Sequence, residues 1–508
     1  MTTLDGHVAV VDLGYGDAGK GTVVDWLCAA RPVPAVIRFN GGAQAGHNVV
    51  TEDGRTHTFA QFGSGSLRGV PTFLSRFMVV DPLALTAEAD HLSTLGVVSP
   101  FELLKVDRNA LVATPYHRLA NQARELARGA DRHGSCGMGV GETVAYSLDH
   151  PDDAVRFGDL SNPIGLRRKL DQVHVFLRDL LSSLDVRLAA PPVDDCVAAF
   201  TAIASRVRSV DSSYLDALLA AGPCVFEGAQ GVLLDEWRGF HPYTTWSTTT
   251  FDNVEALVNG AFYRLGVVRC FTTRHGAGPM VTEDATLTAT LVDPHNPTGR
   301  WQGAFRVGHF DAVAHRYAIE VAGGVDGLAL THLDGAGRTP SLRICRAYQC
   351  PDGTVTRLAP GPFQDLDHQE AMTVRLRGAR PVLDAAPPGD WVAAVSAALD
   401  VPVVLTSHGP TAAEKRCHIR SGTGVFMPGA RMTRGGIPWS LSEWNLEAQH
   451  DRQDPADGAD RRLRRGGQAH VAADDRSGAG AARGGVAPPE GAELQLQPRP
   501  PDPEVRPV

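Results

Sequence analysis

Short apolar runs alternate with amphipathic stretches along most of the chain, and this alternation predicts its fold class. The apolar runs are rich in valine, which is typical of strands buried on both faces of a parallel sheet. They predict strands at residues 7–13, 35–39, 224–228, 327–334 and 401–409. Intervening stretches predict helices at residues 20–30, 117–127 and 310–321. Such alternation predicts an α/β protein with a large, mainly parallel sheet flanked by helices.

Two glycine-rich loops directly follow the first two predicted strands. The first is "DLGYGDAGKGT" (residues 12–22) and the second is "NGGAQAGHN" (residues 40–48). In open α/β sheets, ligands bind beyond the carboxyl ends of the strands. We therefore expect these loops to converge on one crevice.

The composition changes near residue 428. Beyond it the chain is mainly Gly, Ala, Pro, Arg and Asp, with few large apolar residues. Such a segment cannot bury enough surface to offset the entropy lost on ordering. We therefore predict a catalytic domain at residues 1–427 and a low-complexity, disordered tail at residues 428–508.

Composition and charge narrow the classes of function. The chain has 508 residues, is 43% hydrophobic and carries a formal net charge of −9, which argues against nucleic acid as its main partner. No apolar run reaches the roughly 18 residues of a membrane span, and the N-terminus lacks a signal-like pattern, so we expect a soluble cytoplasmic protein. Of the eight cysteines only Cys345 and Cys350 lie close together. Without a second pair, they predict reduced thiols rather than a zinc site.

The first loop matches two phosphate-binding patterns. Its glycines spell the G-x-G-x-x-G of dinucleotide-binding folds, and with Lys20 they also spell the G-x-x-x-x-G-K of a P-loop. A dinucleotide site needs an acid about 20 residues later, but "VIRFNGG" offers Arg38 and Asn40, which disfavours a dinucleotide-dependent oxidoreductase. A P-loop has Ser or Thr after its lysine as a Mg²⁺ ligand, whereas this chain has Gly21.

An acid inside this loop carries the chemical argument. Near phosphate oxygens, Asp17 would be repelled unless a bridging cation made it a ligand, which predicts Mg²⁺. The simpler alternative is that Asp17 only caps the following helix. Lys20 supplies a point charge to phosphate at that helix N-terminus. His47, in the second loop, either forms loop hydrogen bonds or stabilises a transferring phosphoryl group.

Together these segments resemble the adenylosuccinate synthetase family. "GDAGKG" (residues 16–21) is similar to the family's G-D-E-G-K-G, and "GGAQAGH" (residues 41–47) to its G-G-H-N-A-G-H. Five further segments resemble family motifs in the same order: "FEGAQGVLLD", "HPYTTWSTTT", "TRHGAGPMVTE", "THLD" and "TSHGP". In the third of these segments the family has valine where this chain has His275. The resemblance covers roughly residues 7–420, where several motifs in one order are specific in a way that a glycine pattern alone is not.

This resemblance implies a P-loop NTPase-like fold, a homodimer, one Mg²⁺ per subunit, and GTP as co-substrate. The implied reaction joins L-aspartate to C6 of an IMP-like 6-oxopurine nucleotide through a 6-phosphoryl intermediate, giving adenylosuccinate, GDP and phosphate. Two alternatives stay open: the same chemistry on (d)GMP or a specialised purine analogue, and a non-catalytic nucleotide-binding regulator. In phage relatives that act on (d)GMP the catalytic Asp is replaced, so the retained Asp17 favours a purine without a 2-amino group.

The resemblance also assigns roles by position. Asp17 is the general base, His47 the general acid or electrostatic partner, and Lys20 the third catalytic residue; Asp17 and the Gly46 carbonyl bind the metal. The implied GTP-binding residues are Gly16, Asp17, Ala18, Gly19, Lys20, Gly21, Thr22, Gly46, His47, Asn48, His332, Asp334, Ser407 and Gly409. The purine nucleotide is assigned to Gln44, Ser135, Cys136, Gln230, Thr250 and Arg306. L-Aspartate is assigned to Thr298, Gly299, Arg300 and Arg306.

Departures from the family's pattern concentrate on substrate recognition. Gln44 replaces an Asn, and "SCGMGVG" (residues 135–141) replaces T-T-G-R-G-I-G. The amino-acid loop "TGRWQGAFRVG" (residues 298–308) is longer and poorer in Arg than the family's loop, and His332 replaces a Lys. The Arg that reaches the partner's nucleotide has no clear equivalent. The sequence therefore supports phosphoryl transfer more firmly than the identity of the acceptor.

Overall fold

A computed structural model describes residues 4–129, 132–293, 296, 298–299 and 301–418. Within these residues the strands are β1 (Val8–Asp12), β2 (Val36–Arg38), β3 (His47–Val50), β4 (Thr56–Phe59), β5 (Thr72–Leu74), β6 (Val79–Val80), β7 (Leu104–Asp107), β8 (Leu111–Val112), β9 (Arg208–Val210), β10 (Val225–Glu227), β11 (Tyr263–Arg269), β12 (Thr272–His275), β13 (Phe305–Gly308), β14 (Phe310–Asp311), β15 (Gly327–Thr331), β16 (Ile344–Cys350), β17 (Gly353–Val355), β18 (Arg380–Leu383), β19 (Val403–Ser407) and β20 (Lys415–Cys417).

The α-helices of the same residues separate most of these strands. They are α1 (Lys20–Ala30), α2 (Pro82–Thr94), α3 (Pro115–Arg128), α4 (Val140–Asp149), α5 (Pro163–Ser183), α6 (Val193–Ala204), α7 (Ser212–Ala221), α8 (Asp252–Glu255), α9 (Ala285–Thr290), α10 (Ala312–Val321), α11 (Leu333–Arg338), α12 (Leu366–Arg377) and α13 (Trp391–Leu399). No helix within the described residues is long and apolar enough to cross a membrane.

One large sheet organises the described part of the chain, with the strand order β20-β19-β15-β11-β1-β10-β2-β5-β7-β9. Every neighbouring pair is parallel except β19 and β20, which run antiparallel. The order places β1 in the middle, between β10 and β11. This mainly parallel sheet confirms the predicted fold class.

The central strand β1 is buried on both faces, as its continuous apolar sequence predicts. Val8 and Val10 pack in a cluster with α1, whereas Ala9 and Val11 belong to a second cluster that includes α10. Successive side chains of a strand point to opposite faces, so α1 and α10 cover opposite sides of the sheet. Burial on both sides fixes the position of the loop that connects β1 to α1.

The predicted strands and helices are confirmed, with small shifts in their bounds. The predicted helix at residues 20–30 coincides with α1, and the predicted strands at 35–39 and 401–409 contain β2 and β19. The central strand β11 was not predicted, although it neighbours β1. The tail predicted at residues 428–508 lies outside the described residues, so that boundary stays a prediction.

Candidate active site

Ionisable side chains end four adjacent strands at one edge of the sheet. Asp12 ends β1, Glu227 ends β10, Arg38 ends β2 and Arg269 ends β11. All four are buried. Buried charges are costly unless they are paired or hydrogen-bonded. Their concentration beyond the carboxyl ends of the strands marks the crevice that the two glycine-rich loops enter.

Asp12 fixes the first loop and its lysine. One carboxylate oxygen accepts the Gly14 amide at 2.8 Å, and the other accepts the Ala18 amide at 2.8 Å and Lys20 Nζ at 3.1 Å. Lys20 Nζ also donates to the Gln230 carbonyl at 2.7 Å. An ammonium has three N–H donors, so one remains for a phosphate oxygen. Lys20 is therefore a buried cation that hydrogen bonds hold in position at the N-terminus of α1.

Asp17 lies immediately before that helix but does not cap it. The N-cap of α1 is Gly19, and the helix has no side-chain cap. Asp17 has a φ of 60°, and no hydrogen bond joins its carboxylate to another of the described residues. Its backbone carbonyl accepts Arg269 Nη1 at 3.0 Å, which secures the turn. The capping alternative is therefore wrong, and the carboxylate is available to a ligand.

The charges around Asp17 suit a group that gains and loses a proton. Burial raises the pKa of Asp17, while His275, when its ring is protonated, and the charges of Lys20 and Arg269 oppose that rise. A general base works best when its pKa lies close to the operating pH. The pKa of Asp17 is thus shifted in the direction that acid–base catalysis needs.

The carboxylate of Asp17 in the first loop is also a suitable ligand for Mg²⁺. No group of three or more metal-ligating side chains occurs among the described residues. Mg²⁺ typically takes one or two protein carboxylates and completes its shell with phosphate oxygens and water. A single unpaired carboxylate in a phosphate-binding loop agrees with that pattern.

His47 is held by a buried carboxylate that the sequence analysis did not identify. Its Nδ1 lies 2.6 Å from Glu227 Oε1. Glu227 also accepts the Ser64 amide at 2.9 Å and the Ser64 hydroxyl. A carboxylate can only accept, so the His47 proton lies on Nδ1 and Nε2 is left for a ligand.

The pKa values of this pair follow from burial and contact. Burial lowers the pKa of His47 to about 4, although Glu227 opposes the shift. Burial alone would raise the pKa of Glu227, but the hydrogen bond from His47, the charge of Arg38 and Ser64 outweigh it and lower that pKa to about 2. The resting pair is therefore neutral imidazole against carboxylate. An anionic phosphate near Nε2 would favour imidazolium, which Glu227 stabilises.

Gly21 explains why this loop lacks the usual hydroxyl. A Cβ at Gly21 would lie 2.8 Å from His47 Cβ, 3.1 Å from Ser64 Oγ and 3.2 Å from the His47 backbone carbon. Two carbons normally approach no closer than about 3.5 Å. Serine or threonine would therefore force the second loop or the first turn of α1 to shift, because the two pack against each other.

A third loop, after β10, joins the other two. A Cβ at Gly231 would lie 2.3 Å from the Gly14 carbonyl oxygen, and one at Gly41 would lie 2.6 Å from Ala229 Cβ. Both polar atoms of the Gln230 side-chain amide are buried and have no hydrogen-bond partner in the described part of the chain, and the same holds for Gln44 Oε1. Buried polar atoms without partners are costly, so these amides favour a polar ligand. The predicted convergence of the loops is confirmed.

The residues assigned to the guanine base lie where β15 and β19 end. A Cβ at Gly19 would lie 3.6 Å from His332 Cε1, so His332 borders the first loop. Burial lowers the pKa of His332 well below its usual value, and a neutral ring replaces the family's lysine. Ser407 donates to the Gly409 carbonyl at 3.1 Å, and Asp334 pairs with Arg338 at 2.8 Å.

A hydrogen bond joins this region to the phosphate loop, and a lysine holds the region's own backbone. Thr22 Oγ1 donates to the Pro410 carbonyl at 2.7 Å. Lys415 Nζ donates to the Gly409 and Thr411 carbonyls at 2.7 and 2.8 Å. Burial lowers the pKa of Lys415 to about 8. Lys415 was not among the predicted residues, yet it is the buried cation of this pocket.

The amino-acid loop packs on the altered "SCGMGVG" segment. A Cβ at Gly137 would lie 2.8 Å from the Trp301 ring, and Arg132 lies 5.8 Å from the centre of that ring. Gly299 and Gly303 exchange backbone hydrogen bonds at 2.9 and 3.1 Å, which closes a tight loop. The two segments that depart most from the family's pattern are therefore in contact with each other.

Other assigned residues have local partners. Arg306 pairs with Glu283 at 2.5 Å and donates to the Gly278 carbonyl at 3.0 Å. Ser135 Oγ accepts from Asn121 Nδ2 at 2.8 Å, and Cys136 is partly buried. Thr250 is buried and accepts the Asp252 amide at 3.4 Å. Arg300 lies outside the described residues, so its role stays a prediction.

Comparisons with known proteins decide the family. The family profile described as adenylosuccinate synthetase matches residues 9–415. The chain belongs to the adenylosuccinate synthetase family. It is 34% identical over 368 residues to adenylosuccinate synthetase of Neisseria meningitidis serogroup A, covering 70% of this chain and 83% of that protein. It is 35% identical over 373 residues to the enzyme of Neisseria gonorrhoeae strain FA 1090, with coverage of 70% and 83%.

Solved structures agree on the adenylosuccinate synthetase fold. Fully ligated adenylosuccinate synthetase from Plasmodium falciparum superposes with a TM-score of 0.69 at 21% identity, covering 80% of this chain and 99% of that one. Cyanophage S-2L succinoaminodeoxyadenylate synthetase, bound to dGMP and dATP, gives a TM-score of 0.50 at 19% identity, with coverage of 82% and 96%. At these identities the likeness concerns the fold alone.

Proposed function

We propose that this protein is a GTP-dependent ligase that joins L-aspartate to C6 of an IMP-like nucleotide. One observation carries the proposal: the carboxylate of Asp17, which no described residue engages, and the Glu227-held ring of His47 both lie next to the start of α1. Binding alone would require neither a base nor an oriented imidazole. Membership of the adenylosuccinate synthetase family supports the same reaction.

The first step activates the purine. The Asp17 carboxylate takes the N1 proton of the 6-oxopurine, and the electron pair moves to O6. The raised pKa of Asp17 makes it a stronger base than an exposed aspartate. The O6 anion then attacks the γ-phosphorus of GTP.

Charged and hydrogen-bonding groups held in fixed positions assist phosphoryl transfer. As the O6–P bond forms, the bond from the γ-phosphorus to the β-phosphate oxygen breaks and GDP leaves. Lys20 and the amides at the start of α1 stabilise the phosphate oxygens. His47 Nε2 donates to the transferring phosphoryl group once its imidazolium is stabilised by Glu227.

The second step forms the C–N bond. The amine of aspartate attacks C6, the C6–O bond breaks, and the proton that the amine loses departs with the phosphate. Arg306, together with Thr298, Gly299 and Arg300, binds the carboxylates of aspartate, since a guanidinium matches a carboxylate in bidentate geometry. Asp17 and the Gly46 carbonyl would hold Mg²⁺, which neutralises phosphate charge when bound.

A phosphate-release assay tests this function. The full chain is incubated with GTP, Mg²⁺ and L-aspartate, and with IMP, dIMP, GMP, dGMP or XMP in turn. We expect release with IMP. Release with dGMP but not IMP would move the assignment to the (d)GMP alternative. Nucleotide binding without release for any acceptor would support the regulator instead.

Asp17→Asn tests the assigned base. We expect turnover to be abolished, while the affinity for GTP changes little, because the amide keeps the shape but cannot take a proton. Asp53→Asn is the matched control, since Asp53 lies exposed in the turn between β3 and β4. If Asp17→Asn keeps a near-normal kcat, Asp17 is not the base.

Two further properties are proposed from family membership. We expect a homodimer, which sedimentation velocity of the full chain tests. We expect a cytoplasmic location, which cell fractionation tests.

A further inference from the structure

His275 is a polar residue at a position where the family's motif has valine. It is the last residue of β12 and pairs with Phe305 of β13. Its ring packs against Phe305 with a centroid distance of 5.0 Å. His275 Nδ1 is buried and has no hydrogen-bond partner among the described residues. A valine here would leave no polar group to satisfy.

Neighbouring contacts assign the protons of the His275 ring. Asn296 Nδ2 lies 3.1 Å from Asp293 Oδ2. A carboxylate only accepts, so this contact orients the Asn296 amide with its Oδ1 toward His275. Asn296 Oδ1 lies 3.1 Å from His275 Nε2, which must therefore carry the proton. In the neutral ring Nδ1 is then an acceptor, and a buried acceptor without a donor is costly.

A chain of contacts runs from His275 to the loop that carries Asp17. Asp293 forms an ion pair with Arg269 at 3.6 Å, and Arg269 donates to the Asp17 carbonyl at 3.0 Å. Asn296 also lies two residues before Thr298, where the assigned amino-acid loop begins. His275 is thus connected to the base on one side and to the amino-acid loop on the other.

We propose that His275 is a specificity-determining residue whose Nδ1 accepts a hydrogen bond from a substrate O–H or N–H group, while Nε2 is held by Asn296. This inference rests on the proposed function, because it places the ligand in that active site. Two substrate groups have the required chemistry: the ribose 2′-hydroxyl of the acceptor nucleotide and the amino group of the amine donor.

Three substitutions separate the two nitrogens of the ring. His275→Val removes both, as in the family's motif. His275→Asn keeps a side-chain carbonyl close to the position of Nδ1. His275→Gln keeps an amide near the position of Nε2, and so retains the contact with Asn296 but loses the acceptor at Nδ1. A purely structural role would be restored by Gln as well as by Asn.

The experiment measures nucleotide binding and aspartate kinetics on the full chain. Calorimetric titration gives the Kd of IMP and dIMP for each variant, and steady-state assays give the KM for aspartate. If the ribose 2′-hydroxyl is the donor, His275→Val weakens IMP about tenfold and leaves dIMP, which lacks that hydroxyl, unchanged, as expected for one hydrogen bond. If the amine is the donor, the KM for aspartate rises about tenfold and both Kd values stay constant.

Either selective loss, recovered by Asn but not by Gln, supports the inference. Changes below about twofold in every parameter of His275→Val, or equal recovery by Gln and Asn, would overturn it. Equal loss of affinity for IMP and dIMP would also overturn it, and a lower melting temperature would then assign His275 a structural role. The binding arm is independent of turnover. A wild-type protein that binds IMP without releasing phosphate would therefore refute the proposed function, while the His275 comparison still decides this inference.

Discussion

Gly21→Ala tests the packing of the two phosphate loops. Gly21 is the second residue of α1, and the added methyl carbon would lie 2.8 Å from His47 Cβ and 3.2 Å from the His47 backbone carbon. Neither atom can move away by rotation of the His47 side chain. The substitution must therefore shift the second loop or the start of α1.

Two opposing effects set the stability change. Alanine is favoured over glycine in a helix by about 1 kcal/mol. Overpacking of a close-packed site typically costs about 1–3 kcal/mol. The unfolding free energy should therefore fall by roughly 0–2 kcal/mol. Activity is more sensitive, because displacing a catalytic group by about 1 Å can cost about 10²-fold in rate. We expect kcat to fall by about that factor while the protein stays folded.

Gly337→Ala is the matched control. Gly337 lies in α11, and nothing lies within 4 Å of a Cβ built there. Its unfolding free energy should rise by up to about 1 kcal/mol, and kcat should stay unchanged. Phosphate release gives kcat for each variant, and urea denaturation gives the stability. The steric argument is refuted if Gly21→Ala keeps kcat within about threefold of wild type, because that change corresponds to under 1 kcal/mol.

Two further predictions concern the buried pair of His47 and Glu227. Glu227→Gln should lower kcat by about 10²- to 10⁴-fold with little change in GTP affinity, because the His47 ring loses the carboxylate that stabilises its charged form. Rapid-quench measurement of phosphoryl transfer tests this. A normal rate would show that Glu227 is only structural. Acidification should destabilise the fold, since the folded pKa values of about 4 for His47 and about 2 for Glu227 lie below the ordinary 6.5 and 4.5. The unfolded state then binds more protons, so stability is lost from pH 6.5 to 4 for His47 and from 4.5 to 2 for Glu227; a urea midpoint that does not fall between pH 7 and 4 would contradict this.

Local sequence motifs predicted the two loops and the residues in them that are proposed to bind phosphate or act in catalysis. Lys20 lies at a helix N-terminus because a valine-rich strand, a glycine turn and a helix follow one another. Residues close together in sequence determine all three. The partners of those residues were not predictable in the same way. Glu227 meets His47 across 180 positions of sequence, and Arg269 meets Asp17 across 252. Their one local signal is a charged residue ending an apolar strand, which is also seen in Asp12.

The first loop lacks a hydroxyl after Lys20 and contains the acid Asp17, and both features follow from the position of the second loop. An ordinary P-loop uses the hydroxyl after its lysine to hold Mg²⁺. Here the backbone of His47 occupies the space that such a side chain would need beside Gly21. A metal ligand must then come from another position, and Asp17 offers a carboxylate that no described residue engages. Placing His47 close to the phosphates thus removes the hydroxyl and leaves the acid to serve as both proposed metal ligand and proposed base.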